Sequence, residues 1–151
     1  MNGNFCFIGA GYEREVDEFL DVNPGLAGRF NRKLRFESYN PEELVEIAVR
    51  YGAPRATVLD PGAREALSAV CGKLRAYLAA DGTHGIDSLQ NGRFARNVVE
   101  RAERLRDSRV AAQNRMDHGS VTVADLETLR AHDILAAASD ACAEKHIAVG
   151  L

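Results

Sequence analysis

The stretch FLDVNPGLAGRFNRKLRFESY, residues 19–39, decides how the chain is organised. It closes a segment, EREVDEFLDV at 13–22, in which Val16, Phe19 and Leu20 recur at helical spacing. Asn23-Pro24-Gly25 stops that helix, because a proline ring fixes φ and removes a backbone donor. RKLRFE at 32–37 then alternates, with Leu34 and Phe36 on one face, which predicts a strand. Between the two lies Arg29, set by a short loop at the end of a broken helix and turned toward solvent. Most surface arginines are ordinary solvated charges; this position raises the question of an anion.

Working outward toward the start, NFCFIGA at 4–10 is apolar on both alternating faces, and Gly9 and Gly11 end it. That is the pattern of a central strand of a parallel sheet covered on both sides. Residues 1–39 therefore predict strand-helix-strand. Such a unit lacks the neighbouring strands and helices that a doubly buried strand needs. The expectation is the end of an α/β sheet whose earlier strands lie outside these residues.

Beyond residue 39 the pattern becomes all-helical, and residues 40–151 are predicted as a second domain of about four helices. NPEELVEIAVRY opens with Asn40 as N-cap, Pro41 in the first turn and Glu43 closing a capping box, with Leu44, Ile47, Ala48 and Tyr51 on one face. Asp60-Pro61 repeats the device before a stripe of Ala63, Leu67, Val70, Leu74 and Leu78. Residues 81–92 form a polar, glycine-rich loop. A long helix follows with Phe94, Val98, Ala102 and Leu105 as its seam. Thr122 and Asp125 cap a last helical segment reaching about Lys145; the pattern leaves open a break near Ala131-His132.

With 46% apolar and 27% charged residues and a net charge of −3, the composition is that of an ordinary globular protein without a global pull toward nucleic acid. Cys6, Cys71 and Cys142 are far apart and lack CxxC spacing, which speaks for reduced, buried thiols. No apolar run approaches the roughly 20 residues of a membrane span. The first residues lack the basic start of a signal peptide, so a cytoplasmic location is the simplest expectation.

No GxxxxGK[ST], HExxH or GxSxG pattern is present. His84, His118, His132 and His146 are scattered without ligand spacing, so no metal site is expected. IGAGY lacks the third glycine of a dinucleotide fingerprint and reads as a strand end. The candidates that remain are Arg29 and the pair Arg93 and Arg96, which open a helix in NGRFARN. A guanidinium is permanently charged and presents a planar fork of donors that fits phosphate oxygens. A helix N-terminus adds to that preference. Residues 91–116 hold seven arginines against three acids, the raw material of a nucleic-acid-binding helix. Arg101, Arg104 and Arg109 interleave with Glu100, Glu103 and Asp107, however, which reads better as a solvated face with i,i+3 and i,i+4 pairs.

GYEREVDEFLDVNPGLAGRF followed by FESYNPEELVEIA resembles the CbxX/CfxQ branch of AAA+ ATPases, and NGRFARNVVERAERLRDSR is similar to the sensor-2 helix of the same branch. Within the branch the likeness is greatest to the EccA group of type VII (ESX) secretion ATPases. The resemblance implies the α/β end of a AAA+ core followed by an all-α helical lid. It implies that Arg29 is an arginine finger acting in trans on ATP held by a neighbouring subunit, and that Arg93, with Arg96 as second candidate, is the sensor-2 contact to ATP phosphates. The sensor-1 place falls on Tyr12, a departure from the polar residue, often Asn, of the wider superfamily. ATP and Mg2+ are the implied cofactors, with the phosphate loop and Mg2+ ligands expected before residue 1. This chain alone is expected to be inactive. A ring, expected to be a hexamer, and secreted proteins or their chaperones are the implied partners. The alternative is a helical protein- or nucleic-acid-binding module.

Overall fold

A computed structural model describes residues 8–11, 13–30, 32–117 and 120–150, with only the backbone of Arg14. The chain divides into two compact units, residues 1–37 and 38–151.

In the first unit, α1 (Glu13–Val22) ends where expected, and the Asn23 side-chain amide donates to the Phe19 carbonyl at 2.8 Å. Pro24 does not end helical structure altogether: a single turn, α2 (Pro24–Ala27), follows, and the Arg29 N–H closes on Leu26 O at 2.8 Å. The expected strand at 32–37 is not formed. These residues carry no regular structure, and Leu34 and Phe36 are 67% and 91% exposed. A strand needs a partner for its N–H and C=O groups; here the segment is instead held by side-chain charge. Lys33 pairs with Asp17 at 2.6 Å and Glu13 at 3.6 Å, and Arg35 pairs with Glu13. Of the expected strand at 4–10, residues 4–7 lie outside the described residues, and 8–10 carry no regular structure.

The second unit is built on four helices, α3 (Pro41–Gly52), α4 (Pro61–Ala76), α6 (Gly92–Met116) and α8 (Ala131–Glu144). Two short helices, α5 (Gly85–Ser88) and α7 (Val123–Glu127), complete it. The local signals work as read. Asn40 Oδ1 accepts from the Glu43 N–H while Glu43 Oε2 accepts from the Asn40 N–H, both at 2.8 Å. Asp60 Oδ1 accepts from the Ala63 N–H at 2.6 Å, and Thr122 and Asp125 form a capping box. Each helix buries one face: α3 packs on α4 and α6, and α8 packs on the same two. Leu44, Leu67, Leu74, Phe94, Val98 and Ile134 are at most 1% exposed. Burying each side chain of this size contributes about 1.5–3 kcal/mol. Ala137 and Ala138 of α8, both fully buried, let that helix approach its neighbours closely.

Two features depart from the sequence pattern. Leu78 does not extend the α4 stripe: the helix ends at Ala76, and Leu78, 58% exposed, forms an antiparallel bridge to His84. The last helical segment is interrupted earlier than Ala131, by β2 (Thr128–Leu129). This strand pairs in parallel with β1 (Val58–Leu59), in the register Val58 to Thr128 and Leu59 to Leu129.

The charged residues of α6 correct the expectation of a solvated face paired within one helix. Glu100, Arg101, Glu103 and Arg109 find their partners on other elements, while Asp107 pairs with its helix neighbour Arg106 at 2.9 Å. Glu103, 8% exposed, accepts from Arg55 Nη2 at 2.6 Å, Arg55 Nε at 3.0 Å and Thr57 Oγ1 at 2.7 Å. Glu100 accepts from the Tyr51 hydroxyl, and the Arg55 guanidinium lies 5.2 Å from the Tyr51 ring centre. Arg101 bridges to Glu144 through two bonds of 2.9 and 2.6 Å, and Arg109 reaches the buried Asp133 at 3.2 Å. Burial alone would push the Glu103 carboxyl up. The hydrogen bonds from Arg55 and Thr57, then the charges of Arg55 and Arg106, outweigh this and hold it below its ordinary value. Arg55 and Thr57 reach Glu103 because the chain turns back tightly after α3. A 3₁₀ turn at Ala53–Arg55 and a left-handed Ala56 (φ 52°) bring Thr57 O to where a Cβ on Gly52 would lie 2.8 Å from it.

Two stability tests follow from this packing. Gly52→Ala must displace the 53–57 turn and is expected to cost about 1–3 kcal/mol. Gly72→Ala, in mid-α4 with open space at its Cβ, is expected to gain about 0.5–1 kcal/mol. Urea unfolding of the two variants checks both, and equal effects would contradict the close-approach account. Glu103→Ala is expected to cost about 2–3 kcal/mol, less than the roughly 3–5 kcal/mol of a fully buried pair, because Arg55 keeps 43% of its side chain exposed. Since the Glu103 carboxyl is depressed in the folded state, its contribution is complete above the ordinary carboxylate value and drains away as pH falls below it. Glu103→Gln should therefore flatten the loss of stability between about pH 5 and pH 3, measured by urea midpoints across that range.

Candidate functional site

Arg29 sits two residues past the α2 turn, in the first unit, and is exposed. Among the described residues its side chain has no hydrogen-bond or ion-pair partner. The break at Asn23-Pro24 ends α1, the single turn of α2 reverses the chain, and the guanidinium is left free to meet an anion. Tyr12 lies outside the described residues.

Arg93 and Arg96 stand in the first turns of α6. Positions three apart share one helix face, and both residues are exposed. Arg93 Nη1 donates weakly to Gln90 Oε1 at 3.3 Å, and Arg96 has no partner among the described residues. The opposite face, Phe94, Ala95 and Val98, is fixed in the core, so the two guanidinium groups ride on a rigid support. The helix end itself contributes less than the sequence suggests. The Arg93 N–H already donates to Gln90 O at 3.1 Å and the Phe94 N–H to Asn91 O at 2.9 Å. Attraction for an anion therefore rests on the guanidinium charges and the helix dipole, with those two N–H groups already occupied.

The structure brings Arg93 and Arg96 together on one unit, while Arg29 belongs to the other. Two exposed guanidinium groups that form no ion pair among the described residues suit contact with phosphate oxygens. Among the described residues there is no group of three or more His, Cys, Asp or Glu placed to hold a metal ion. Arg101, Arg106 and Arg109 are held by Glu144, Asp107 and Asp133, which removes much of the basic surface that a nucleic-acid-binding α6 would present. Among the described residues no helix is long and apolar enough to cross a membrane.

Sequence reasoning passed over Asn91, which precedes α6 with φ 55° and ψ −116°, a backbone region that only glycine enters without strain. Its neighbour Gln90 also has positive φ, at 67°. The adjacent pair Asn91-Gly92 could have flagged an unusual turn, though not which residue bears the strain.

The AAA lid domain family matches residues 40–144, nearly the whole helical unit. The chain is 60% identical over 141 residues, 93% of its length, to the ESX-2 secretion system protein EccA2 of Mycobacterium tuberculosis. It is 40% identical over 130 residues, 83% of its length, to the ESX-3 secretion system protein EccA3 of the same organism. It is 34% identical over 128 residues, 85% of its length, to the ESX-1 secretion system protein EccA1 of Mycolicibacterium smegmatis. These matches cover 23%, 20% and 22% of the relatives, so the chain spans less than a quarter of their length. On the helical match and these likenesses together, the chain belongs to the AAA lid domain family and is EccA-like in sequence.

Proposed function

We propose that this chain supplies the helical lid, and an arginine-bearing element before it, to a AAA+ ATPase of an ESX-type secretion system. Residues 1–39 would be the C-terminal part of its α/β core and residues 40–151 its lid. The observation that carries this reading is the placement of Arg93: exposed and free of acidic partners, at the start of the long helix of a AAA lid. In this reading Arg93 contacts the phosphates of ATP in its own subunit, with Arg96 beside it, and transmits nucleotide state to the lid. Arg29 reaches ATP on a neighbouring subunit of a ring, expected to be a hexamer, and offsets charge on the departing γ-phosphate. Tyr12 is the sensor-1 candidate. ATP and Mg2+ bind chiefly through residues outside this chain, which by itself is inactive. The ring works in the cytoplasm on secreted proteins or their chaperones.

Two variants test these roles in the complete ATPase. Arg93→Ala is expected to reduce turnover and weaken the response of the lid to nucleotide, while the melting temperature stays unchanged, since the side chain is exposed. If turnover and ATP affinity both remain at wild-type levels, Arg93 is not the phosphate contact and Arg96→Ala becomes the test. Arg29→Ala is expected to leave ATP binding nearly intact and cut hydrolysis by about 10³-fold or more, the scale of an arginine finger. Mixed with a subunit lacking its phosphate-loop lysine, the Arg29→Ala protein should regain activity, because some interfaces then pair an intact loop with an intact arginine. Mixed rings that form and stay inactive would sink the in-trans role.

A further inference from the structure

The Asn91 N–H donates to Ile86 O at 2.9 Å, and the side-chain bonds of this strained residue lead to one place, the segment Ser38–Tyr39 where the second unit begins. The Tyr39 N–H donates to Asn91 Oδ1 at 3.1 Å, and Asn91 Nδ2 donates to Asp87 Oδ1 at 2.6 Å. The same Asp87 oxygen accepts from the Ser38 hydroxyl. Arg75 grips the segment from the other side, donating to Tyr39 O at 2.7 Å and Ser38 O at 3.2 Å. The Tyr39 ring lies over Gly92, where an added Cβ would sit 3.3 Å from it. Glycine at position 91 would relieve the backbone at no steric cost. An asparagine there is worth its strain only through its side-chain bonds, and strain of this kind persists where the surroundings over-determine it.

We propose that Asn91 is a positioning residue that locks the Ser38–Tyr39 segment to the first turn of α6, so that rotation of the chain at residues 38–39 carries Arg93 with it. The segment is the point through which the arginine-bearing first unit is joined to the lid, and Arg93 lies two residues beyond Asn91. Motion at the junction and the direction of the Arg93 guanidinium then become one degree of freedom. The consequence for turnover rests on the reading of Arg93 as a phosphate contact; the coupling itself does not.

Asn91→Gly tests the lock, because it keeps the backbone conformation and removes both side-chain bonds. In the full 151-residue chain, amide hydrogen exchange at Tyr39 is expected to speed up about tenfold, with exchange in the middle of α6 and the melting temperature unchanged. In the complete ATPase, kcat is expected to fall about threefold to tenfold with KM for ATP within about twofold, as for a lost orientation of a group acting in the transition state. Asp87→Ala, which leaves residue 91 itself untouched, is the second variant and should move Tyr39 exchange the same way, deciding the matter if Asn91→Gly destabilises the fold. Unchanged Tyr39 exchange in both variants overturns the proposal. So does uniformly faster exchange along α6 in both, which marks a purely structural role. If Arg93→Ala slows turnover but Asn91→Gly does not, positioning is overturned while the phosphate contact stands. If Arg93→Ala has no effect and Tyr39 exchange still responds to Asn91→Gly, the ATPase reading of Arg93 fails and the lock survives.

Discussion

A buried carboxylate has to be paired, and the Glu103 side chain sets the terms for much of the helical unit. It sits on the core-facing side of α6 and takes hydrogen bonds from both nitrogens of the Arg55 fork that face it and from the Thr57 hydroxyl. Those residues reach it only because the chain folds back after α3 through a left-handed Ala56 and a Gly52 that no larger residue could replace without a shift. The other end of α3 is tied to the same helix, through Tyr39 and Asn91. With residue 39 beside 91 and residue 55 beside 103, α3 and α6 run in the same direction, pinned at both ends over about 18 Å of helix. Two helices fastened in this way move as one body.

That body is what presents the candidate phosphate contacts. Arg93 and Arg96 project from the first turns of α6, while Phe94, Ala95 and Val98 hold the opposite face in the core. A guanidinium contributes to phosphoryl transfer by being in place before charge develops, so a rigid mount matters more than added flexibility. Arg29 is mounted differently, on one turn of helix after a proline break. Its usefulness in the proposed ATPase depends on a neighbouring subunit bringing a nucleotide to it.

How much of this was legible in the sequence follows the range of each interaction. The caps at Asn40, Asp60 and Thr122 were readable because donor and acceptor lie three residues apart. The arginines that open α6 could be singled out for the same reason, from a glycine and a helical stripe. The partners of Glu103 could not, because Arg55 is 48 positions away and nothing local distinguishes a paired buried acid from a solvated one. The alternation at 32–37 predicted a strand from side chains alone, yet strand formation depends on a partner backbone, and those residues are found irregular and exposed. Asn91 stayed hidden because its strain is a property of φ and ψ, which its neighbours in space impose.

The central claim is that two arginines of this chain act on ATP from different subunits of one ring. The most direct test is a structure of the complete ATPase trapped with ADP and a planar mimic of the departing phosphate. The account predicts the Arg93 guanidinium of one subunit and the Arg29 guanidinium of its neighbour within about 3 Å of phosphate or mimic oxygens at the same site. Both side chains in solvent with the nucleotide bound, or both reaching it from a single subunit, would contradict it.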